Sequence, residues 1–274
     1  MKDERILITG GAGSIGGELT RQLSRFNSVY ILDTNETAFF DLHEELRQKG
    51  FDVQGRIGDV RSKETLKDIF HSFNPTAVFH CAALKHVTPN EWHPEEAIQT
   101  NSLGTLNVVE QAKKHGIKVL VNISTDKVIN SNSVMGVTKR LGEIIVKNAG
   151  YVSVRFGNVL GSRGSVIPIW QRQLEKDEPL TVTDPGAHRF FMTIEHACML
   201  LIEAARSPGG TILIMDMGES VNILELAKDI LGKAGKPDHP IEIIGMRPGE
   251  TLHEELMTPG EKLTAVKMGA FWQI

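Results

Sequence analysis

Residues 124–127 read Ser-Thr-Asp-Lys, placing hydroxyl, carboxyl and amine groups in immediate succession. Such a set can move protons. The Asp126 carboxyl can act as an acid, and the Lys127 amine as a base if burial lowers its pKa. Thr125 supplies a hydroxyl, with Ser124 beside it. Lys139 follows in a stretch of helical period, and Met135 stands four residues before it, on the same helical face. A thioether is no general base, so Met135 reads as packing. The plain alternative for Asp126-Lys127 is an exposed ion pair in a strand-to-helix loop.

A second constellation opens the chain. In "TGGAGSIGGEL", Gly10, Gly13 and Gly16 fall at three-residue steps after a β-branched run and at the start of a helical pattern. Glycines there let the backbone turn tightly and approach a pyrophosphate resting on the helix N-terminus. Ser14 and Ile15 belong to the same turn. Asp33 ends the second run 17 residues after Gly16, where a ribose 2′-hydroxyl needs an acceptor. A carboxylate repels a 2′-phosphate, and no arginine follows it, so NAD is expected rather than NADP. Asp59, next to Val60, is placed to accept from the adenine amino group or is simply a turn residue. Ala82 and Ala83 are small enough to let a dinucleotide cross the sheet edge.

The third set lies towards the other end. Asn158 and Arg163 fall in "VRFGNVLGSRGSVIP", Arg189 in "HRFF", and Arg247 and Glu250 in "MRPGE". Arginine presents a planar fork suited to diphosphate oxygens, and Glu250 can accept from a ribose diol. Pro248-Gly249 with flanking surface charges would otherwise be an ordinary tight turn. Following a dinucleotide fold, these groups favour a second nucleotide site, and a nucleotide sugar as its occupant. Asn101 is a candidate for positioning the active-site strand through its amide.

The elements that must hold these residues show in the periodicity. The runs 5–9, 29–33, 51–59, 76–80, 118–124 and 151–157 read as strands, and helical patterns near 14–26, 35–49, 62–73, 95–115 and 133–148 alternate with them. Phe39, Leu42, His43 and Leu46 show the helical spacing well. This predicts βαβ units and an α/β fold, a Rossmann-type doubly wound parallel sheet. Residues 1–158 are expected to form the NAD-binding domain. Residues 159–274, punctuated by Gly and Pro and with helical stretches at 193–206 and 221–234, are expected to form a smaller C-terminal substrate-binding domain over the carboxyl ends of the strands.

Bulk composition excludes several classes. The 274 residues are 41% hydrophobic and 23% charged, with a net charge of -4, so neither nucleic acid nor an anionic membrane surface is expected as a partner. Cys81 and Cys198 lack metal-ligand spacing and read as buried free thiols, and no metal site is expected. The opening MKDER carries no secretory signal, and no apolar run is long enough to span a bilayer. A cytoplasmic location is expected.

Together, "TGGAGSIGGEL", "LDTNETAFFDLHEEL", "AALKHVTPNEWHP", "ISTDKVINSNSVMGVTKR", "VRFGNVLGSRGSVIP", "HRFFMT" and "IGMRPGETLHEEL" resemble the extended short-chain dehydrogenase/reductase family. The likeness is to its polysaccharide-biosynthesis (capsular) branch, which includes UDP-N-acetylglucosamine 4,6-dehydratases and related 4-epimerases. Many members carry an N-terminal membrane portion; none is expected here. The resemblance implies a Ser/Thr-Tyr-Lys apparatus, in which this chain has Thr125 and Lys139 but Met135 in the tyrosine position. Neither Tyr30 nor Tyr151, both assigned to strands, can substitute without rearranging the sheet. The resemblance further implies that Lys139 holds the nicotinamide ribose, that Lys85 contacts the active site, and that His86 does so more weakly. The implied activity is an NAD-dependent nucleotide-sugar 4,6-dehydratase: C4 is oxidised, Lys127 takes the acidified C5 proton, and Asp126 helps the C6 hydroxyl leave. A UDP-sugar 4-epimerase and a non-catalytic NAD-binding protein are the alternatives. A homo-oligomer is expected.

Overall fold

A computed structural model describes residues 1–129 and 131–274. In chain order, the first part comprises β1 (Arg5–Thr9), α1 (Ser14–Leu23), β2 (Ser28–Asp33), α2 (Glu36–Gln48), β3 (Val53–Ile57), α3 (Lys63–Ser72), β4 (Ala77–His80) and α4 (Val87–Trp92). There follow α5 (Pro94–Ala97), a π-helical stretch (Ile98–Gly104), α6 (Thr105–Lys114), β5 (Val119–Ile123), α7 (Val134–Asn148) and β6 (Val152–Arg155). The remainder holds β7 (Asn158–Val159), α8 (Val166–Glu175), β8 (Leu180–Val182), β9 (His188–Arg189), β10 (Phe191–Met192), α9 (Ile194–Ala204), β11 (Thr211–Met215) and β12 (Val221–Asn222). The last elements are α10 (Ile223–Lys233), β13 (Ile241–Ile243), α11 (Pro259–Thr264), β14 (Val266–Met268) and β15 (Phe271–Gln273).

One sheet dominates, in the order β14-β15-β11-β6-β5-β4-β1-β2-β3. Its strands from β11 to β3 pair in parallel, and β15 and β14 add an antiparallel edge. Strand direction in sequence reverses between β1 and β4, the switch point where such sheets leave a crevice for ligands. Adjacent residues along β1 enter different cores: Ile6 and Ile8 pack with Leu19 and Leu201, whereas Leu7 packs with Leu66, Phe70 and Val108. A strand covered on both faces needs apolar residues at successive positions, which is why Ile6, Leu7 and Ile8 form an unbroken apolar run. The Rossmann-type parallel sheet is as expected.

A third core gathers Trp170, Leu180, Val182, Ile223 and Leu231 from α8, β8 and α10. The segment after residue 159 thus supplies this separate core and also β11, β14 and β15 of the main sheet. Among the described residues no helix is long and apolar enough to cross a membrane.

Candidate active site

The carboxyl ends of the central strands open onto one cleft of about 1120 Å³. At its floor the chain leaves β1 and turns through Gly10 at φ +63°, where a Cβ would sit 2.7 Å from the Ala82 backbone nitrogen. A Cβ at Gly16 would lie 2.1 Å from the Gly10 carbonyl oxygen, so no side chain fits there either. Gly13, Ser14 and Ile15 line the cleft at the start of α1. That helix has no side-chain N-cap and no acid in its first turn, so its free N–H groups form an anion site. Asp33 accepts from the backbone N–H of Ala12 and of Asn35, both at 2.9 Å, and also lines the cleft. It is Asn35, not Asp33, that caps α2. Asp59 faces the same space while pairing with Arg61 at 2.7 Å; Val60, Ala82 and Ala83 border it.

The proton-handling residues sit where β5 ends. The Thr125 hydroxyl donates to Asp126 Oδ1 at 2.9 Å. Lys127 Nζ reaches Asp126 Oδ1 at 3.0 Å, Asn158 Oδ1 at 3.2 Å and Glu254 Oε1 at 2.7 Å. Glu254 also pairs with Arg189 Nε at 3.2 Å and accepts from Asn158 Nδ2 at 3.1 Å. Lys127, Asn158 and Arg189 line the main cleft, whereas Asp126 and Glu254 lie behind it, bordering an adjoining cavity of about 380 Å³. Asp126 Oδ2 is buried without a hydrogen-bond partner.

These contacts fix the resting charges. Burial works to lower the Lys127 pKa, as the sequence led us to expect, but Asp126 and Glu254 outweigh it and hold the ammonium above its ordinary range. The condition for Lys127 to rest as a free base is therefore not met. Burial raises the Asp126 carboxyl, yet Lys127 and its hydrogen bonds prevail and hold it below the usual range, so it rests ionised rather than as an acid. Glu254 goes the other way: burial, against the pull of Lys127, pushes it up to about 7. Sequence reasoning missed Glu254. The only signal was its place in "LHEEL", where nothing distinguishes it from the exposed Glu255.

Lys139 is buried on α7, donates to the Ile123 carbonyl, and is lowered by burial to about 8, against Glu143 and Cys81. Met135, also buried, borders the cleft four residues earlier. Tyr30 packs on Phe73 and Tyr151 donates to the Ile117 carbonyl; neither lines the cleft. Asn101 holds Leu84 through both backbone groups, at 2.8 and 3.0 Å, and donates to Thr138 of α7 at 3.1 Å. It thus ties the loop after β4 to α7 rather than pinning the active-site strand itself. The π-helical stretch carries it, an irregularity common at functional sites.

Across the cleft, Lys85 donates to the Arg163 carbonyl at 2.8 Å, and His86 borders the same space. Arg163 turns back to the glycine turn: its backbone N–H donates to Ser14 Oγ at 3.0 Å and its guanidinium to the Ala12 carbonyl. Arg247 and Glu250 line the far end on one turn, where the Arg247 N–H donates to Glu250 Oε2 at 3.3 Å.

The fold and cleft define the class, an extended short-chain dehydrogenase/reductase. Residues 6–274 match the family described as polysaccharide biosynthesis protein, and the chain belongs to it. It is 42% identical over 276 residues to capsular polysaccharide biosynthesis protein CapD of Staphylococcus aureus, covering 95% of this chain and 46% of that one. The chain spans about half the length of the curated relatives it matches first. The structure of Pen from Bacillus thuringiensis is 36% identical, with a TM-score of 0.93 and coverage of 100% and 88% of the two chains. A UDP-glucose 4-epimerase from Thermus thermophilus, in complex with NAD, is 26% identical, with a TM-score of 0.81 and coverage of 95% and 92%.

Proposed function

We propose that this chain is an NAD-dependent nucleotide-sugar 4,6-dehydratase acting on UDP-N-acetylglucosamine or a close relative in surface polysaccharide synthesis. The cluster at Asp126 and Lys127 carries the reading. Its Asp126 carboxyl accepts from the Thr125 hydroxyl at 2.9 Å and from the Lys127 ammonium at 3.0 Å, beside the cleft. Elimination of water needs one group to give a proton and another to take one, and a hydroxyl, a carboxyl and an amine in contact supply both. Epimerisation at C4 needs no such acid for a leaving hydroxyl.

NAD fits the residues present: a side-chain-free turn, an uncapped helix N-terminus for its pyrophosphate, and Asp33 for a ribose hydroxyl. Bound there, it supplies the hydride acceptor and donor for the sugar. The chain's own groups do the rest. Lys139 orients the nicotinamide ribose. Thr125 takes the C4 hydroxyl proton as it passes its own to Asp126 Oδ1, 2.9 Å away, so oxidation proceeds without a phenol. Asp126, now protonated, is the acid for the departing C6 hydroxyl, which it reaches through the Thr125 hydroxyl that lines the cleft. Lys127 meets the C5 proton. Lys85, Arg247 and Arg163 line the anionic path, with the Arg247 fork on diphosphate oxygens and Glu250 on a ribose diol.

Incubation with UDP-N-acetylglucosamine and NAD⁺ is expected to give a product lighter by one water in mass spectrometry. Asp126→Asn is expected to lower turnover about a hundredfold or more while NAD still binds. A UDP-sugar 4-epimerase is the second reading, favoured by the likeness to the Thermus thermophilus enzyme. An isomeric product of unchanged mass would establish it.

A further inference from the structure

Glu254 has no task in the steps above, yet its placement is tightly specified. The backbone that carries it is held by the His188 N–H and the Arg189 guanidinium, which both donate to the Leu252 carbonyl, at 3.0 and 3.1 Å. Its side chain is 3% exposed, and both carboxyl oxygens are engaged, one by Lys127 and Arg189 and the other by Asn158. Burying a carboxylate is costly unless it is paired, so Lys127, Arg189 and Asn158 are what hold Glu254 in place.

The geometry also leaves Lys127 with a difficulty. Its three N–H directions are taken by Asp126, Asn158 and Glu254. An ammonium cannot accept a carbon-bound proton until it loses one of its own. Of the three acceptors, the Asn158 amide oxygen is not basic. Asp126 Oδ1 already receives the Thr125 hydroxyl and is the weaker carboxyl base. Glu254 is the nearest, at 2.7 Å, and the carboxyl whose surroundings favour taking a proton.

We propose that Glu254 is the proton acceptor behind Lys127. The C5–H bond breaks and leaves its electron pair on the carbon next to the C4 carbonyl. The proton joins Lys127 Nζ. For Nζ to take that proton, a Lys127 N–H first breaks and gives its proton to Glu254 Oε1, and rotation about Cε–Nζ turns the freed lone pair to the cleft. Lys127 thus keeps its charge and Glu254 becomes neutral. When C5 is reprotonated at the close of the cycle, the same path runs in reverse. Arg189 and Asn158 hold the carboxyl in line, making Glu254 a positioning and relay residue that never touches the sugar. Its charged and titratable surroundings are Lys127 and Asp126 at the end of β5, Arg189 on β9, and Glu250, His253 and Glu255 around the adjoining cavity.

This inference rests on the dehydratase reading, and the test separates the two. The wild-type enzyme with UDP-N-acetylglucosamine in deuterated water is expected to exchange the C5 hydrogen. Its turnover should rise with pH through about 7, as Glu254 ionises. Glu254→Gln is expected to lower both exchange and kcat about a hundredfold, with KM and NAD affinity within about twofold, and to lose the rise near pH 7. Glu254→Asp, which restores a carboxylate at a shorter reach, is expected to recover part of the rate and the pH dependence. Thermal melts confirm that each variant folds. Wild-type exchange rates in Glu254→Gln, or the same pH limb in that variant, would overturn the relay alone. A wild-type enzyme that neither exchanges C5 nor loses water would overturn the dehydratase reading and the relay with it.

Discussion

Met135 is 2% exposed, borders the cleft and precedes Lys139 by four residues. A phenol in its place would sit beside an amine lowered to about 8. A thioether instead fills the space and leaves proton transfer to the strand side, where Thr125 already donates to Asp126. Met135→Ala is therefore expected to cost about 2 kcal/mol of stability, near the low end for a buried Met because the cleft lets the site relax. Turnover is expected to fall less than about tenfold, short of what loss of a general acid or base costs. A melting curve and a kcat measurement check both, and a hundredfold loss of kcat with unchanged stability would contradict the packing role. At this scale the sequence was legible wherever one short motif held the whole constellation, as in Ser-Thr-Asp-Lys. It was silent where the partner lay half the chain away, because spacing carries no information about Glu254 meeting Lys127. Nor could it show the Asp126 and Lys127 proton states, which depend on Glu254 as well as on each other.

Among the elements, most strands and helices of the first half declared themselves through β-branched runs and helical spacing, though α4 fell outside every expected stretch. Two features after residue 159 did not. The helix α8 carries Pro168 in its first turn, where a missing N–H costs nothing because those N–H groups have no intrahelical partner anyway. β11, TILIM, is a five-residue run directly after Pro and Gly, easily taken for part of a loop. The loop before α8 matters most for the site. Its Arg163 joins Ser14, the Ala12 carbonyl and Lys85 into a strap that crosses from the substrate side to the glycine turn. We expect this strap to slow cofactor release, which suits a reaction that takes and returns hydride at one site. Arg163→Ala removes a charge-assisted hydrogen bond of about 1.5 kcal/mol and should speed NAD dissociation roughly tenfold. Stopped-flow displacement of bound NAD measures this directly. A rate equal to wild type would show that the strap does not hold the cofactor.

At the scale of the molecule, a switch point between β1 and β4 and a separate core around Trp170 bring three remote sets of residues to one cleft. The outer surface raises a different question. Val137, Leu141 and Ile144 are 56%, 46% and 44% exposed on α7, at helical spacing. Ile98 and Leu103, on the π-helical stretch that packs against α7, are also exposed, at 47% and 41%. Several exposed apolar side chains on two helical elements that pack together mark an interaction surface more often than a solvated one. The surface lies on the helices that hold Lys139 and Asn101, so its cover would also stiffen the site. We expect a second copy of this chain to cover it, meeting the same patch in a two-fold arrangement. Leu141→Glu puts a charge at the centre of that patch while leaving the core untouched, because the side chain already faces out. Light scattering after size exclusion is expected to show a multiple of the 30.2 kDa chain mass for the wild type and a shift towards the single-chain mass for the variant. A monomeric wild type at micromolar concentration, or a variant whose mass does not change, would show that the stripe is not where this chain meets its own copy.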